Sequence, residues 1–128
     1  MYTPLMVVMV DLDDTRLATA RSLGANETIN SATPDAKQKP MALTDGQGFD
    51  SVIEAVGNPA TFSLGQELVA VGGAIANVGV HGTKVDLHLE TLWDRNINYP
   101  FHAAVTAYTT SQAASQHQAL KVAIDFAP

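Results

Sequence analysis

Hydrophobic residues in this chain gather into short unbroken runs separated by stretches of mixed polarity. Residues 5–10, Leu5-Met6-Val7-Val8-Met9-Val10, form one such run and end on Asp11. A run of that length with no polar alternation predicts a strand buried on both faces of a parallel sheet. Asp13 or Asp14 can cap a following helix, in which Leu17, Ala20 and Leu23 make one apolar stripe and Gly24 is the stop. Residues 27–30 suggest a short strand. Thr33-Pro34-Asp35 predicts a second helix by the rule of a cap followed by proline, and Pro40 should interrupt it. Gly46-Gln47-Gly48 reads as a loop, and residues 49–56 as a second hydrophobic strand.

Asn58-Pro59 opens the best helix signal, residues 59–71, with Gly72-Gly73 as its end. Residues 74–80 predict a third hydrophobic strand, closed by Gly79 and Gly82. Residues 87–93 predict a short amphipathic helix, and residues 97–101 a final strand. From 103 to 118 the chain is rich in Ala, Thr, Ser and Gln with weak periodicity, and residues 120–126 fit either a strand or a helix. Strands that alternate with helices, and that are apolar throughout, predict an α/β fold with a parallel sheet.

Composition narrows the possibilities. At 128 residues, 46% of them hydrophobic and 16% charged, the chain is a single globular domain in expectation. Its net charge of −6 argues against nucleic acid, whose phosphates call for Lys and Arg. There is no cysteine, which removes disulfides and thiolate metal ligands and suits a cytoplasmic protein. No apolar run approaches the ~20 residues of a membrane span, and Met1-Tyr2-Thr3-Pro4 has no basic start of a signal peptide.

Asp11 is the foremost candidate for chemistry. A carboxylate at the carboxyl end of a strand can accept hydrogen bonds from two vicinal ribose hydroxyls and repel the extra phosphate of NADP. The competing role is a helix cap. Arg16, one turn on, can touch the same ribose or be a solvated helix charge. Gly57 and Gly79 each follow a strand, where the missing Cβ lets backbone approach a cofactor; ordinary turn chemistry explains them equally well. Glu54 lies within an apolar strand and reads as a catalytic group or as a structural acid, the structural role being favoured. His81, His88, His102 and His117 follow no metal-ligand spacing and read as surface or loop histidines. Asp13-Asp14 are adjacent on a helix and do not face one another. Gly46-Gln47-Gly48 lacks the Lys-Ser/Thr of a phosphate loop. Trp93, with Leu89 and Leu92, reads as core or interface.

Taken in order, several segments resemble the zinc-dependent alcohol dehydrogenases of the medium-chain dehydrogenase/reductase family. They are Val8-Met9-Val10-Asp11-Leu12-Asp13-Asp14, Arg16-Leu17, Leu23-Gly24-Ala25, residues 48–57, Gly72-Gly73, Asn77-Val78-Gly79-Val80-His81-Gly82 and Leu92-Trp93-Asp94-Arg95-Asn96. The resemblance covers about residues 7–97 and is nearest the secondary-alcohol or threonine-type branch; residues 98–128 diverge from it.

The resemblance implies a Rossmann-like parallel sheet with flanking helices, and an oxidoreductase that transfers hydride between a secondary alcohol and NAD. It implies that Asp11 and Arg16 bind the adenosine ribose. Val56, Gly57 and Asn58 would lie beside the cofactor's sugar and pyrophosphate, and Val78, Gly79 and Val80 along the nicotinamide. The family's first strand, Gly-rich loop, first helix and zinc-bearing catalytic domain have no counterpart in these residues. The expectation is therefore a single partial NAD-binding domain over residues 1–128, without zinc and not active alone, or alternatively a non-catalytic assembly remnant of a dehydrogenase. In the strand order of such a sheet, residues 5–10 and 49–54 would flank a missing strand. Unpaired inner edges, together with the family's interface surface at residues 78–85 and 97–101, predict a homo-oligomer.

Overall fold

The computed structural model describes residues 4–98, as four strands and four helices in α/β alternation. The expectations for residues 99–128, including the end of the last strand, the tail elements, His102 and His117, lie outside the described residues. The described strands form two separate two-stranded sheets, and the chain divides into two compact units after Gly46.

In the first unit, β1 (Val8–Asp11) pairs in parallel with β2 (Glu27–Asn30), Val8 opposite Glu27 and Asp11 opposite Asn30. The connection is α1 (Asp14–Ser22). It starts where expected, because the Asp13 carboxylate accepts from the Thr15 and Arg16 N–H groups at 2.8 and 3.1 Å. It stops at Gly24, whose φ of +107° suits a residue without Cβ. The Gly24 N–H donates to the Arg21 carbonyl and the Ala25 N–H to the Ala20 carbonyl, the paired bonds that close a helix end. Leu17 and Ile29 are the buried residues of this unit's apolar side.

Two expectations fail here. The first strand begins at Val8, and Leu5 is fully exposed. The reason is the entry of β2: the Val7 N–H donates to the Asn26 side chain, and the Val7 carbonyl accepts from Asn26 and Glu27. Among the described residues no strand runs opposite those before Val7, and β1 itself is only half-buried. The second correction concerns Pro40. It does not interrupt a helix begun at Thr33; it is the third residue of the short α2 (Gln38–Ala42) and is buried. In a first turn its missing N–H has no helical acceptor to lose. Residues 31–37 form turns, with the Ala36 N–H on the Thr33 carbonyl.

In the second unit, β3 (Phe49–Glu54) pairs in parallel with β4 (Val69–Asn77), joined by α3 (Pro59–Leu68). Asn58 caps α3 through its side-chain oxygen on the Ala60 N–H at 2.8 Å, with Pro59 in the first turn. The helix ends three residues before the expected 71. Val69 and Val71 are β-branched and enter a strand at once. Gly72-Gly73 consequently lie inside β4 and not at a helix end. Phe49 pairs with Val69, yet Ser51 pairs with Ala74, so the ladder is broken by a bulge at Gly72, where φ is +77°. The strand ends at Asn77, short of the expected 80.

Val69, Ile75 and Leu92 form the core of this unit, with Val52 and Ile97 packed against it. Burying a side chain such as Ile75, 1% exposed, contributes roughly 1.5–3 kcal/mol. The short α4 (Leu89–Leu92) is shorter at both ends than the expected 87–93; it buries Leu92 and leaves Trp93 exposed. After it, Asn98 makes one parallel bridge to Ala74, the described part of the expected last strand.

Candidate functional site

The carboxyl ends of the strands carry the candidate residues. In the first unit, Asp11 closes β1 and its side chain is 7% exposed. One carboxylate oxygen accepts from the Asp13 N–H at 2.9 Å and meets the Arg16 guanidinium at 3.0 Å. Arg16 is itself mostly exposed and also lies 3.9 Å from Asp13. The turn after β1 is thus tied down by two aspartates with separate duties. Asp13 is the cap, held below the usual carboxylate range first by the Arg16 N–H and then by that of Thr15. Asp11 is therefore not the helix cap, and its side chain stands at the strand end paired with Arg16.

In the second unit, two turns cross. One follows β3 and contains Val56, Gly57 and Asn58; the other follows β4 and contains Val78, Gly79 and Val80. A Cβ on Gly79 would run into the Gly57 backbone, and one on Gly57 into the Val80 carbonyl. Gly57 also has a φ of +80°. Both glycines are therefore required by close approach of backbone to backbone. Val56 and Val80 are more than half exposed. The Asn58 side-chain oxygen is committed to its cap.

Glu54 organises this crossing. It is 4% exposed at the last position of β3. Oε1 accepts from the N–H groups of Val56 and Gly57, both at 2.9 Å, and from the Thr61 hydroxyl at 2.7 Å. Oε2 faces His81 Nε2 at 3.5 Å. The Glu54 carbonyl accepts from the N–H groups of Val78 and Gly79 at 2.8 and 3.0 Å. A buried carboxylate is tolerable when its lone pairs are filled in this way. Of the two roles weighed from sequence, the hydrogen bonds favour the structural one.

His81 is not a surface histidine. Its side chain is 12% exposed, with Nε2 3.0 Å from Asn77 Oδ1 and the ring edge-on to Phe62 at 5.6 Å. Sequence reasoning missed this pairing because Glu54 and His81 are far apart in the chain. The available signal was the polar residue that follows each hydrophobic run.

The described residues do not fit a metal: no three His, Asp or Glu among them come together as ligands, and the chain has no cysteine. Among the described residues, no helix is long and apolar enough to cross a membrane.

Comparison with known proteins identifies the surroundings of this geometry. Residues 5–123 match the family described as zinc-binding dehydrogenase. An alcohol dehydrogenase of Cupriavidus necator is 33% identical over 96 residues, which are 72% of this chain and 26% of that protein. The solved apo zinc-dependent alcohol dehydrogenase 2 from Streptococcus pneumonia is 44% identical, with a TM-score of 0.74 over 91% of this chain and 35% of its own. The alcohol dehydrogenase of Thermus sp. ATN1 is 27% identical, with a TM-score of 0.72 over 91% of this chain and 34% of its own. The chain spans about a quarter of the length of the first curated relatives and about a third of the solved ones.

Proposed function

The chain belongs to the zinc-binding dehydrogenase family, and on that premise we propose that it is the cofactor-binding portion of an NAD-dependent alcohol dehydrogenase. In the first unit, Asp11 accepts hydrogen bonds from the adenosine ribose hydroxyls, with Arg16 beside it. In the second unit, the backbones of Val56, Gly57, Asn58, Val78, Gly79 and Val80 approach the pyrophosphate and nicotinamide parts of the cofactor. The observation that carries the reading is the Gly57–Gly79 crossing. It brings two turns together at the carboxyl ends of two adjacent parallel strands, where α/β sheets bind their ligands.

NAD would bring the hydride acceptor. The chain's own residues would bind and orient it, and the two glycines would hold the two turns against one another beside it. No step through zinc is derived, because the described residues do not fit that ion. Alcohol oxidation is therefore the activity of the longer relatives' names, and this chain alone is not expected to perform it. Calorimetric titration of the purified chain with NAD tests the proposal. Micromolar affinity supports it; no binding at millimolar NAD overturns it.

A second reading, an assembly module, rests on Val71, Val80, Leu89 and Trp93, all more than half exposed in the second unit. In that reading these side chains, together with residues 78–85, form a surface between copies of the chain.

A further inference from the structure

We propose that Glu54 is the positioning residue of the cofactor-facing edge, because one side chain and one carbonyl of this residue hold both of its turns. The inference rests on the NAD reading given above and adds what keeps that site in shape.

Every polar atom of Glu54 beyond its own N–H is engaged with the two turns or with the helix between the strands. The carboxylate takes Val56 and Gly57 on one side and Thr61 on α3. The carbonyl takes Val78 and Gly79 on the other. His81 then closes the ring: its Nε2 lies between Asn77 Oδ1 at 3.0 Å and Glu54 Oε2 at 3.5 Å. A carboxylate oxygen only accepts, and the Asn77 oxygen only accepts, so the atom between them carries the ring's proton. Nδ1 is buried and has no hydrogen-bond partner among the described residues, so a proton there would have no acceptor. The structure thus assigns His81 the Nε2–H tautomer, bonded to Asn77 Oδ1 at 3.0 Å, and the fit of that N–H depends on Glu54 turning an acceptor toward it at 3.5 Å.

The dependence makes the role separable from mere packing. In Glu54→Gln the side-chain volume is nearly unchanged, but one acceptor becomes an NH2 donor. Either that NH2 faces the Gly57 N–H, which loosens the first turn, or it faces His81, where two donors meet and the ring must shift. Both outcomes change the edge without emptying the core. In Thr61→Val only the hydroxyl donor is lost, and His81 keeps its acceptors.

The experiment compares the wild-type chain, Glu54→Gln and Thr61→Val by NAD titration and by imidazole nitrogen and backbone amide NMR. Glu54→Gln is expected to weaken NAD binding by about tenfold or more, the scale of a lost hydrogen bond to a charged group. It should also shift the amide signals of both Gly57 and Gly79 and shift or broaden the His81 Nε2 signal. Thr61→Val should weaken binding by only a few-fold and leave the His81 tautomer unchanged. If Glu54→Gln folds, binds NAD as the wild type does and leaves His81 and Gly79 unmoved, the proposal is overturned. If Glu54→Gln does not fold, Thr61→Val decides by the same amide signals: shifts reaching Gly79 support the coupling, and shifts confined to residues 55–61 refute it. Failure of the wild-type chain to bind NAD would refute the NAD reading, and the tautomer and amide shifts would still decide whether Glu54 couples the turns.

Discussion

The α-carbon of Gly79 lies so close to the backbone nitrogen of Gly57 that no side chain fits between them. Two segments that are distant in sequence meet there without an intervening atom. Gly79→Ala must push the turns apart and also press on the Glu54 carboxylate. The expected cost is about 2–3 kcal/mol, at the upper end of ordinary overpacking. Urea unfolding followed by circular dichroism measures it, and an unchanged midpoint would show that the crossing is loose.

Asp11 should set the choice of nucleotide. In the NAD reading proposed above, its carboxylate would face the position of the additional phosphate of NADP, and Arg16 is already drawn to it at 3.0 Å. Asp11→Ser removes the repulsion and frees the guanidinium to meet that phosphate. The ratio of NADP to NAD affinity should rise by roughly tenfold or more, equal to about 1.4 kcal/mol. Equal affinity of the wild-type chain for both nucleotides would defeat the assignment.

Asp13 links the first helix to pH. Its folded-state value lies below the usual carboxylate range because the backbone N–H groups of Arg16 and Thr15 favour the charged form. Its contribution is thus complete above the ordinary carboxylate value and is lost as pH falls through the lowered one. Asp13→Asn keeps a capping oxygen but has no proton to take up. Thermal melts between pH 6 and pH 2 should show a shallower acid loss for Asp13→Asn than for the wild type. Asp35 acts in the same direction through Lys39, 2.9 Å away, so the slope should flatten without vanishing.

Asn58 is predicted to matter through its cap. Asn58→Ala should cost about 1 kcal/mol, while Asn58→Asp or Asn58→Ser should cost much less. Chemical denaturation of the three variants distinguishes a capping role from one that only the Asn amide can fill.

Self-association is expected at tens of micromolar, carried by Val71, Val80 and Trp93, which lie exposed in one unit. Sedimentation velocity across a concentration series reads it directly. A stable monomer would remove the assembly reading, and Val80→Lys should shift a real dimer toward monomer.

The local signals proved the readable ones. Asp13 as cap, Gly24 as stop, Asn58-Pro59 as a helix start and the four residues of β2 all rest on short-range chemistry, and each stands where the pattern put it. Boundaries set by distant partners were not readable. Nothing in Leu5 to Val7 reveals that their first partner is Asn26, at the entry of β2, and nothing in Val69 reveals that Phe49 of β3 waits to pair with it. Gly72-Gly73 looked like punctuation because glycine has the same signature after a helix and in a bulge. Asp11 was recognised as a site candidate by its place at a strand end. Its partner Arg16 lies one helical turn away and was equally visible. The Glu54–His81 pair was not, since a contact between segments distant in the chain leaves no spacing rule.

The bulge in β4 has a mechanical consequence. From Phe49 to Ser51 is two steps along one strand, while from Val69 to Ala74 is five along the other. The strand therefore carries slack in the middle of its ladder. The surplus turns the Gly72 N–H toward the Arg95 carbonyl at 2.7 Å, and Arg95 in turn reaches back to the Val69 carbonyl. The two halves of β4 are fastened independently, one at Val69 and the other from Ala74 onward. A residue gained or lost between them can be taken up as a change in the size of the kink. The register from Ser51 to Glu54, and with it the aim of the turn at Gly79, is insulated from the length of the segment that precedes it.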